Sequence, residues 1–274
     1  MLPMLRIGLV IVGDEILSGK RQDKHLVKVI ELLTARGLAL SWAEYAGDDR
    51  EALTALYRRT FEQTAAGGSM VLSCGGIGST PDDHTRHAAA AALGLPLALH
   101  PEAEVLITQR CVQMAREGRG SADMTTAENR QRLTMGEFPQ GCAIIPNPFN
   151  QIPGFSIRGH WFMPGFPVMA WPMIEWVLDT HYRDAFGSAV TAERSLVVYE
   201  TAESLLVPLM VDIEQRYPPV KAFSLPSVGD GGDGRIRRRH IELGVKGPPE
   251  LVAAAFERLC AGVNELGAEF ERTT

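Results

Sequence analysis

A glycine-rich segment followed by two acids has the residue types and spacing of a phosphate-binding loop. Residues 75–79 read Gly-Gly-Ile-Gly-Ser, and Asp82 and Asp83 follow directly after Thr80 and Pro81. Glycines let backbone N–H groups approach a ligand closely, and a helix N-terminus adds partial positive charge. Two carboxylates repel a phosphate unless a divalent cation such as Mg²⁺ bridges them. The segment therefore predicts a phosphate or nucleotide loop with catalytic potential.

Asp83 also has a purely structural interpretation. It follows Thr80 by three residues, which is the spacing of a capping box, where the carboxylate accepts from the N–H of the cap residue. In that case Thr80 is the N-cap and Pro81 the first residue of a helix over residues 81–93. Capping accounts for Asp83 but leaves Asp82 unexplained, so both roles stay open.

The elements around this segment alternate between strands and helices. Apolar runs over residues 7–12, 38–46 and 69–73 predict strands, and helical patterns separate them, with Leu26, Val29, Ile30 and Leu33 on the inner face of the first helix. Such alternation predicts a parallel sheet covered by helices on both faces, with ligands bound beyond the carboxyl ends of the strands. The loops at residues 13–15, 47–49 and 75–79 all belong to that edge.

The remaining sequence predicts the end of this domain and a second, smaller one. Further helices are predicted at residues 101–116 and 169–182, with short strands at 143–145 and 155–157. After a polar linker at residues 183–193, the order β-α-β-β-α predicts a small α+β domain, ferredoxin-like or KH-like. The predicted domains are residues 1–185 and 194–274.

Composition describes an ordinary globular protein of 274 residues. The hydrophobic content is 45%, and the formal net charge of -6 gives no reason to expect nucleic acid binding. Four cysteines stand apart without paired spacing, so we expect neither a disulfide framework nor a zinc knuckle, and a reducing cytoplasm is the expected location. No apolar span approaches the ~20 residues of a membrane helix, so we expect no membrane partner.

Six motifs occur in an order that resembles a known family. They are Gly13-Asp14-Glu15-Ile16-Leu17-Ser18-Gly19, Gly47-Asp48-Asp49, Gly75-Gly76-Ile77-Gly78 with Pro81-Asp82-Asp83, Asn147-Pro148, Pro153-Gly154-Phe155 and Met163-Pro164-Gly165-Phe166-Pro167. Residues 7–182 thereby resemble the CinA-type competence/damage-inducible protein A family, part of the MoaB/MogA-like molybdopterin-binding superfamily. Residues 224–227 and 229–232 are similar to the accessory domain of that family. The resemblance implies a three-layer α/β/α fold.

The resemblance also implies a function. It implies a pocket for molybdopterin or a nucleotide diphosphate and, for CinA-type domains, a pyrophosphatase that acts on ADP-ribose with Mg²⁺, Mn²⁺ or Co²⁺. The alternatives are a protein that binds molybdopterin without chemistry, or an adenylyltransferase like MogA. A homo-oligomer, dimer or trimer, is expected. The chain ends at Thr274, so we expect no nicotinamide-mononucleotide deamidase domain.

The candidate site residues follow from the motifs. Asp83, Asp82 and Asp48 are the candidate catalytic groups, with Asp83 and Glu15 as candidate metal ligands. The candidate ligand-binding residues are Gly13, Asp14, Glu15, Gly75, Gly76, Gly78, Ser79, Pro164 and Gly165. Glu15 has the alternative of a solvated loop acid, and either Asp48 or Asp49 must cap the next helix.

Three further features of the sequence concern the same site. His25 stands where many members of the resembling family have Asn, so we expect metal or ribose contacts there to differ from the family pattern. His84 and His87 lie one helical turn apart and form a possible ligand pair, although a helix often carries a histidine on a polar face. The aromatic residues near the last motif are expected in the core rather than against a ligand; they are Trp161, Phe162, Phe166, Trp171 and Trp176.

Overall fold

A computed structural model describes residues 5–188, 192–227 and 238–273. The chain divides into two compact units, with the boundary between residues 189 and 190. The motif at residues 229–232 lies outside the described residues.

The first unit contains eight strands and seven helices within its described part. Its strands are β1 Arg6–Val12, β2 Leu40–Ala46, β3 Ser69–Cys74, β4 Leu97–Leu99, β5 Glu137–Pro139, β6 Ala143–Ile145, β7 Gly154–Ile157 and β8 His160–Met163. Its helices are α1 Asp14–Leu17, α2 His25–Thr34, α3 Arg50–Ala65, α4 Thr85–Leu93, α5 Pro101–Arg116, α6 Ala127–Leu133 and α7 Pro167–His181.

The central sheet of this unit is mostly parallel, as predicted. Its strand order is β2-β1-β3-β8-β7-β6. Strands β2, β1, β3 and β8 run parallel, and β7 and β6 are antiparallel to their neighbours. The carboxyl ends of four strands therefore meet at one edge, which brings together loops that are far apart in the chain.

Helices cover both faces of the sheet, so the predicted three-layer α/β/α architecture is confirmed. Along β1, Ile7, Leu9 and Ile11 pack with buried side chains of α2 and α7, such as Val29 and Ile174. On the other face, alternate residues of β1 pack against α3 and α4; they are Val10 and Val12. A strand that is buried on both faces needs apolar residues at every position, which explains the continuous apolar run.

The helix after the glycine-rich segment begins later than predicted. Helix α4 starts at Thr85 rather than Pro81, and its N-cap residue is His84. Asp83 and Thr80 instead close a turn ahead of the helix, since the Asp83 N–H donates to the Thr80 carbonyl at 3.0 Å. The prediction of Thr80 as N-cap is therefore wrong, because the local spacing of a capping box occurs here in a turn.

Two other helices differ in detail from the prediction. In α2, Leu32 takes the inner position that was predicted for Ile30, which is 45% exposed. Helix α7 begins at Pro167, two residues before the predicted start, and includes Pro172 in its interior. Proline is favourable in the first turn because its missing N–H has no partner there.

The second unit has the order of a ferredoxin-like fold. Its described elements are β9 Ala192–Tyr199, α8 Glu203–Arg216, β10 Lys221–Ser227, β11 His240–Gly247, α9 Pro249–Glu265 and β12 Phe270–Arg272. The described strands form an antiparallel sheet with the order β10-β11-β9-β12. The sequence did not predict β12, which is only three residues long. A βαββαβ chain with this strand order favours the ferredoxin-like alternative over the KH-like one.

None of the helices within residues 5–188, 192–227 and 238–273 combines the length and the apolar character needed to cross a membrane.

Candidate functional site

A cleft of about 670 Å³ lies at the carboxyl edge of the parallel strands. The loops that follow β1, β2, β3 and β8 line it. The predicted site residues that line it are Gly13, Glu15, Asp48, Gly75, Gly76, Gly78, Ser79, Asp82, Asp83, Pro164 and Gly165. Asp14 does not line the cleft but contacts Asp48, which does. The topology thus brings the candidate residues of four loops together.

The glycine loop, residues 75–79, presents a row of backbone donors. Within the described residues, the N–H groups of Gly76, Ile77, Gly78 and Ser79 have no hydrogen-bond acceptor. The Ile77 side chain is only 5% exposed and packs in the core, which anchors the loop. Successive unpaired N–H groups on an anchored loop form an anion-binding concavity.

Two glycines are required for this backbone path. Gly75 has φ 112°, and a Cβ there would lie 2.2 Å from the Val12 carbonyl oxygen. Gly76 has φ 68°, and a Cβ there would lie 2.3 Å from the Thr85 Oγ1. Any side chain would therefore push the loop away from β1 or α4.

Two residues that the sequence analysis missed hold the glycine loop by donating hydrogen bonds to its carbonyl groups. The Arg86 Nη2 donates to the Gly78 carbonyl at 2.6 Å, and the Gln131 Nε2 donates to the Ser79 carbonyl at 2.6 Å. Arg86 is 2% exposed, and its spacing from the buried Ala89 and Ala90 of α4 is the one signal that could have revealed it.

These contacts determine which way one peptide group faces. In a trans peptide the C=O and N–H groups point in opposite directions. Because Arg86 holds the Gly78 carbonyl on its own side, the N–H of Ser79 points away from Arg86. Arg86 thus orients a donor of the loop.

The two adjacent acids after β2 have different partners. The Asp49 Oδ1 accepts from the Ala52 N–H at 2.7 Å and caps α3. The Asp48 Oδ2 instead accepts from the Asp14 N–H at 2.8 Å, and the Asp48 N–H donates back to the Asp14 Oδ1 at 3.2 Å. The open choice between the two acids is therefore settled locally, since Asp49 is the cap and Asp48 lies in the cleft.

Asp48 stands among other negative charges. Partial burial raises its pKa, and the charges of Asp14, Glu15 and Asp82 raise it further, while the hydrogen bond from the Asp14 N–H opposes them. No ion pair within the described parts of the chain involves any of these four carboxylates. The cluster therefore carries negative charge that lacks a cationic partner among the described residues.

Asp83 closes the turn between the glycine loop and α4. Its Oδ2 accepts from the Thr80 N–H at 2.8 Å and from the Thr80 hydroxyl. The same oxygen lies 2.5 Å from the place of a Cβ on Gly78, so only glycine permits this approach. Asp83 thus has the hydrogen bond of a capping box and also lines the cleft.

The loop after β8 forms the opposite wall of the cleft. Gly165 lies against the glycine loop, since a Cβ on it would be 3.4 Å from the Gly75 Cα. His25, which is 4% exposed, donates from Nε2 to the Gly165 carbonyl at 2.9 Å. His25 therefore positions the Gly165 loop, a contact that sequence reasoning did not identify because 140 positions separate the two residues.

Comparison with known proteins assigns the chain to a family. The family described as "Probable molybdopterin binding domain" matches residues 8–183, which contain every residue that lines the cleft. The chain belongs to this molybdopterin-binding domain family.

Relatives of the chain include bacterial proteins named "CinA-like protein". The one from Syntrophotalea carbinolica is 30% identical over 274 residues, which cover 94% of this chain and 63% of the relative. The one from Desulforapulum autotrophicum is 30% identical over 227 residues, which cover 79% of this chain and 50% of the relative. The chain thus spans about half to two thirds of the length of these relatives.

A solved structure shares the fold of the first unit. The crystal structure of the protein CinA with unknown function from Thermoplasma acidophilum has a TM-score of 0.52 at 23% identity, and covers 66% of this chain and 99% of that one. The α/β fold expected for the molybdopterin-binding domain is therefore confirmed.

The acidic side chains in the cleft of this molybdopterin-binding domain suit a metal ion only when the phosphates of a bound ligand supply further oxygen atoms. Within the described ranges, no group of three or more His, Cys, Asp or Glu side chains is arranged to hold a metal ion, and this includes His84 and His87. Mg²⁺ is commonly held by one or two carboxylates together with substrate phosphates. The unpaired acids Glu15, Asp48 and Asp82 beside the glycine loop fit that arrangement.

Cys74 lines the cleft at the end of β3. Burial raises the pKa of its thiol to about 12. Because the thiolate is the nucleophilic form, Cys74 is inert at neutral pH.

The prediction that the aromatics near the last motif belong to the core holds for four of the five, with Trp171 and Trp176 partly buried against the core, and fails for one. Trp161 and Phe162 are 8% and 0% exposed. Phe166 is 55% exposed and lines the cleft. It precedes α7 as the N-cap residue.

Proposed function

We propose that this molybdopterin-binding-family protein is a metal-dependent hydrolase of a nucleotide diphosphate such as ADP-ribose. The reaction adds water across the P–O–P bond and forms AMP and ribose 5-phosphate. One observation carries the proposal: the unpaired N–H groups of Gly76 to Ser79 share a cleft with the unpaired carboxylates Glu15, Asp48 and Asp82. A site that only binds phosphate has no use for such acids, since they repel it.

Each part of the cleft has a role in this chemistry. The glycine loop binds phosphate oxygens through its N–H groups and holds them as negative charge develops. Glu15 and Asp83, the latter through its Oδ1, would hold a divalent cation together with the phosphate oxygens, and Asp82 would orient the attacking water. The cation would supply charge neutralisation at the phosphates. Asp48 accepts the proton of the attacking water, and its raised pKa makes it a stronger base than an ordinary aspartate.

The test is AMP formation by the purified protein from ADP-ribose with Mg²⁺, Mn²⁺ or Co²⁺. Asp83→Asn keeps an oxygen for the Thr80 N–H but removes the negative charge, so we expect AMP formation to fall at least about a hundredfold. Asp123→Asn changes an exposed acid outside the cleft and is the matched control. Undiminished activity of Asp83→Asn would remove Asp83 from the mechanism, and no AMP with any of the metals would overturn the hydrolase.

The family match favours a second candidate, a protein that binds molybdopterin without chemistry of its own. A related variant is adenylyl transfer to molybdopterin at the same cleft. A fluorescence titration with molybdopterin tests binding, and addition of ATP tests for release of pyrophosphate. The absence of a saturable signal would eliminate both.

We also propose that the protein is a homo-oligomer, dimer or trimer, on the basis of its resemblance to the superfamily. Light scattering coupled to size-exclusion chromatography tests this. A mass of one chain at micromolar concentration would contradict it.

A further inference from the structure

We propose that Phe166 is the stacking platform for a planar heteroaromatic ring of the ligand, attached through a few atoms to the phosphate held by the glycine loop. This inference rests on the proposed function in that it places a ring-bearing phosphate in the same cleft. The inference identifies Phe166 as the residue that binds the ring. It also predicts that Phe166 contributes nothing to the affinity for ligands without a ring.

Phe166 is the available aromatic platform, since the other partly exposed apolar residues that line the cleft carry no aromatic ring; they are Ile16, Pro164 and Pro167. Ile11, Val12, Cys74 and Ile77 also line the cleft, but each is no more than 6% exposed because its side chain belongs to the core. Among the described residues that line the cleft, Phe166 is the only phenylalanine, tyrosine or tryptophan.

Phe166 is far more exposed than the aromatic residues of the neighbouring strands β7 and β8. A phenylalanine loses favourable free energy when more than half of its surface stays in water. Phe166 is 55% exposed, whereas the neighbouring aromatic residues Phe155 and Phe162 are fully buried. An exposed ring on the wall of a polar cleft is the arrangement that binds bases by stacking.

The backbone on both sides of Phe166 is held in place. His25 holds the Gly165 carbonyl at 2.9 Å. The Phe166 carbonyl accepts from the N–H groups of Met169 and Ala170, both at 2.9 Å, and Pro167 restricts φ at the first position of α7. The ring is therefore presented on a fixed backbone, which lowers the entropy cost of binding.

The position of Phe166 suits a ligand with both a phosphate and a ring. Gly165, the residue before it, lies against Gly75 at the beginning of the glycine loop. Phe166 and the glycine loop thus line the same cleft, so one ligand can contact both. Adenine in a nucleotide and the pterin ring of molybdopterin are both planar heteroaromatic rings linked to phosphate. The relative affinities for ADP-ribose and for a pterin phosphate distinguish which of the two rings the cleft binds.

The experiment compares ligands with and without a ring by calorimetry in the presence of Mg²⁺. The ligands are ADP-ribose, a pterin phosphate and inorganic pyrophosphate, and the proteins are wild type, Phe166→Ala, Phe166→Trp and Phe149→Ala. Phe149 is the matched control because it is 56% exposed and does not line the cleft.

We expect Phe166→Ala to weaken the ring-bearing ligand about tenfold, since stacking on one aromatic side chain has this magnitude. Its affinity for pyrophosphate stays unchanged, Phe166→Trp retains ring binding, and Phe149→Ala changes neither. Equal weakening of pyrophosphate, unchanged affinity for the ring-bearing ligand, or a wild type that binds pyrophosphate but no ring-bearing ligand would each overturn the proposal.

The outcome for Phe166 is separate from that for hydrolysis. If no AMP forms but Phe166→Ala still weakens the ring-bearing ligand selectively, the hydrolase is wrong and the platform stands. If AMP forms at the same rate and with the same KM in Phe166→Ala, the platform is wrong and the hydrolase stands. Thermal unfolding of each variant confirms that the exposed substitutions leave the fold intact.

Discussion

At the scale of single residues, identical side chains in neighbouring positions have different roles because their partners differ. Asp48 and Asp49 are adjacent, yet Asp49 caps α3 while Asp48 faces Asp14 across the loops after β1 and β2. A carboxylate that caps a helix stabilises the fold, whereas one placed among like charges destabilises it in its ionised form. Removal of the Asp48 charge should therefore stabilise the fold and reduce activity, whereas removal of the Asp49 carboxylate should destabilise the fold and leave activity intact.

We expect Asp48→Asn to raise the free energy of unfolding at pH 7 by less than about 1 kcal/mol, since the site is partly exposed. The folded pKa of Asp48 is raised, so the folded state keeps this proton to higher pH than the unfolded state, and stability falls as pH rises through the folded pKa. Urea unfolding at pH 7 and near pH 3 measures this, and the difference from wild type should vanish in acid. AMP formation should fall about a hundredfold.

Asp49→Ala is the control for this prediction. It should lower the free energy of unfolding by about 1 kcal/mol because a helix cap is lost. It should leave AMP formation intact. A destabilised Asp48→Asn, or an inactive Asp49→Ala with normal folding, would contradict the assignment of the two acids.

At the scale of elements, the glycine loop depends on contacts with three helices or strands. Gly75 lies against the end of β1, Gly76 lies against the first residue of α4, and Gln131 of α6 holds the Ser79 carbonyl. The free N–H groups therefore depend on backbone packing around the loop rather than on the loop sequence alone. Displacing the backbone at one glycine should disturb the whole row of donors.

We expect Gly76→Ala to weaken pyrophosphate binding at least about tenfold. The new Cβ would meet the Thr85 Oγ1 at 2.3 Å, and φ 68° is unfavourable for alanine. Gly67→Ala is matched, because Gly67 has φ 76° but no atom within 4 Å of the new Cβ. Both variants should lose about 1 kcal/mol of stability from the positive φ, Gly76→Ala should lose more because of the contact with Thr85, and only Gly76→Ala should lose affinity in calorimetry. Equal affinities would show that the loop does not bind the anion.

At the scale of the whole molecule, each unit has its own core and the cleft belongs to one of them. The second unit packs α8 and α9 on its own sheet through buried residues such as Leu209, Leu243 and Leu259. All residues that line the cleft lie between Ile11 and Pro167, within the first unit. Ligand binding should therefore be a property of the first unit.

We expect a fragment of residues 1–189 to fold cooperatively and to bind pyrophosphate with Mg²⁺ as the full chain does. Circular dichroism during thermal unfolding and calorimetry of the fragment test this. A fragment that folds but has lost affinity would show that residues of the second unit contribute to binding, which would correct the assignment of the cleft.

The sequence by itself determined that the acid and glycine loops share one edge. Continuous apolar strands alternating with helices, as in β1 to β3, favour a parallel sheet covered on both faces, and parallel strands place their following loops together. The boundaries of α5, predicted at residues 101–116, are confirmed for the same reason, since caps and periodicity are local. The start of α4 was mispredicted because the same local spacing fits a helix cap and a turn.

Only the tertiary structure decided which side chains face the cleft. The contacts that hold its walls join residues 52 positions apart for Gln131 and Ser79 and 140 apart for His25 and Gly165. Such partners depend on how elements pack, which no local pattern encodes. The same reason explains why Asp48 contacts Asp14, 34 positions away, and why Phe166, unlike its aromatic neighbours in β7 and β8, remains exposed.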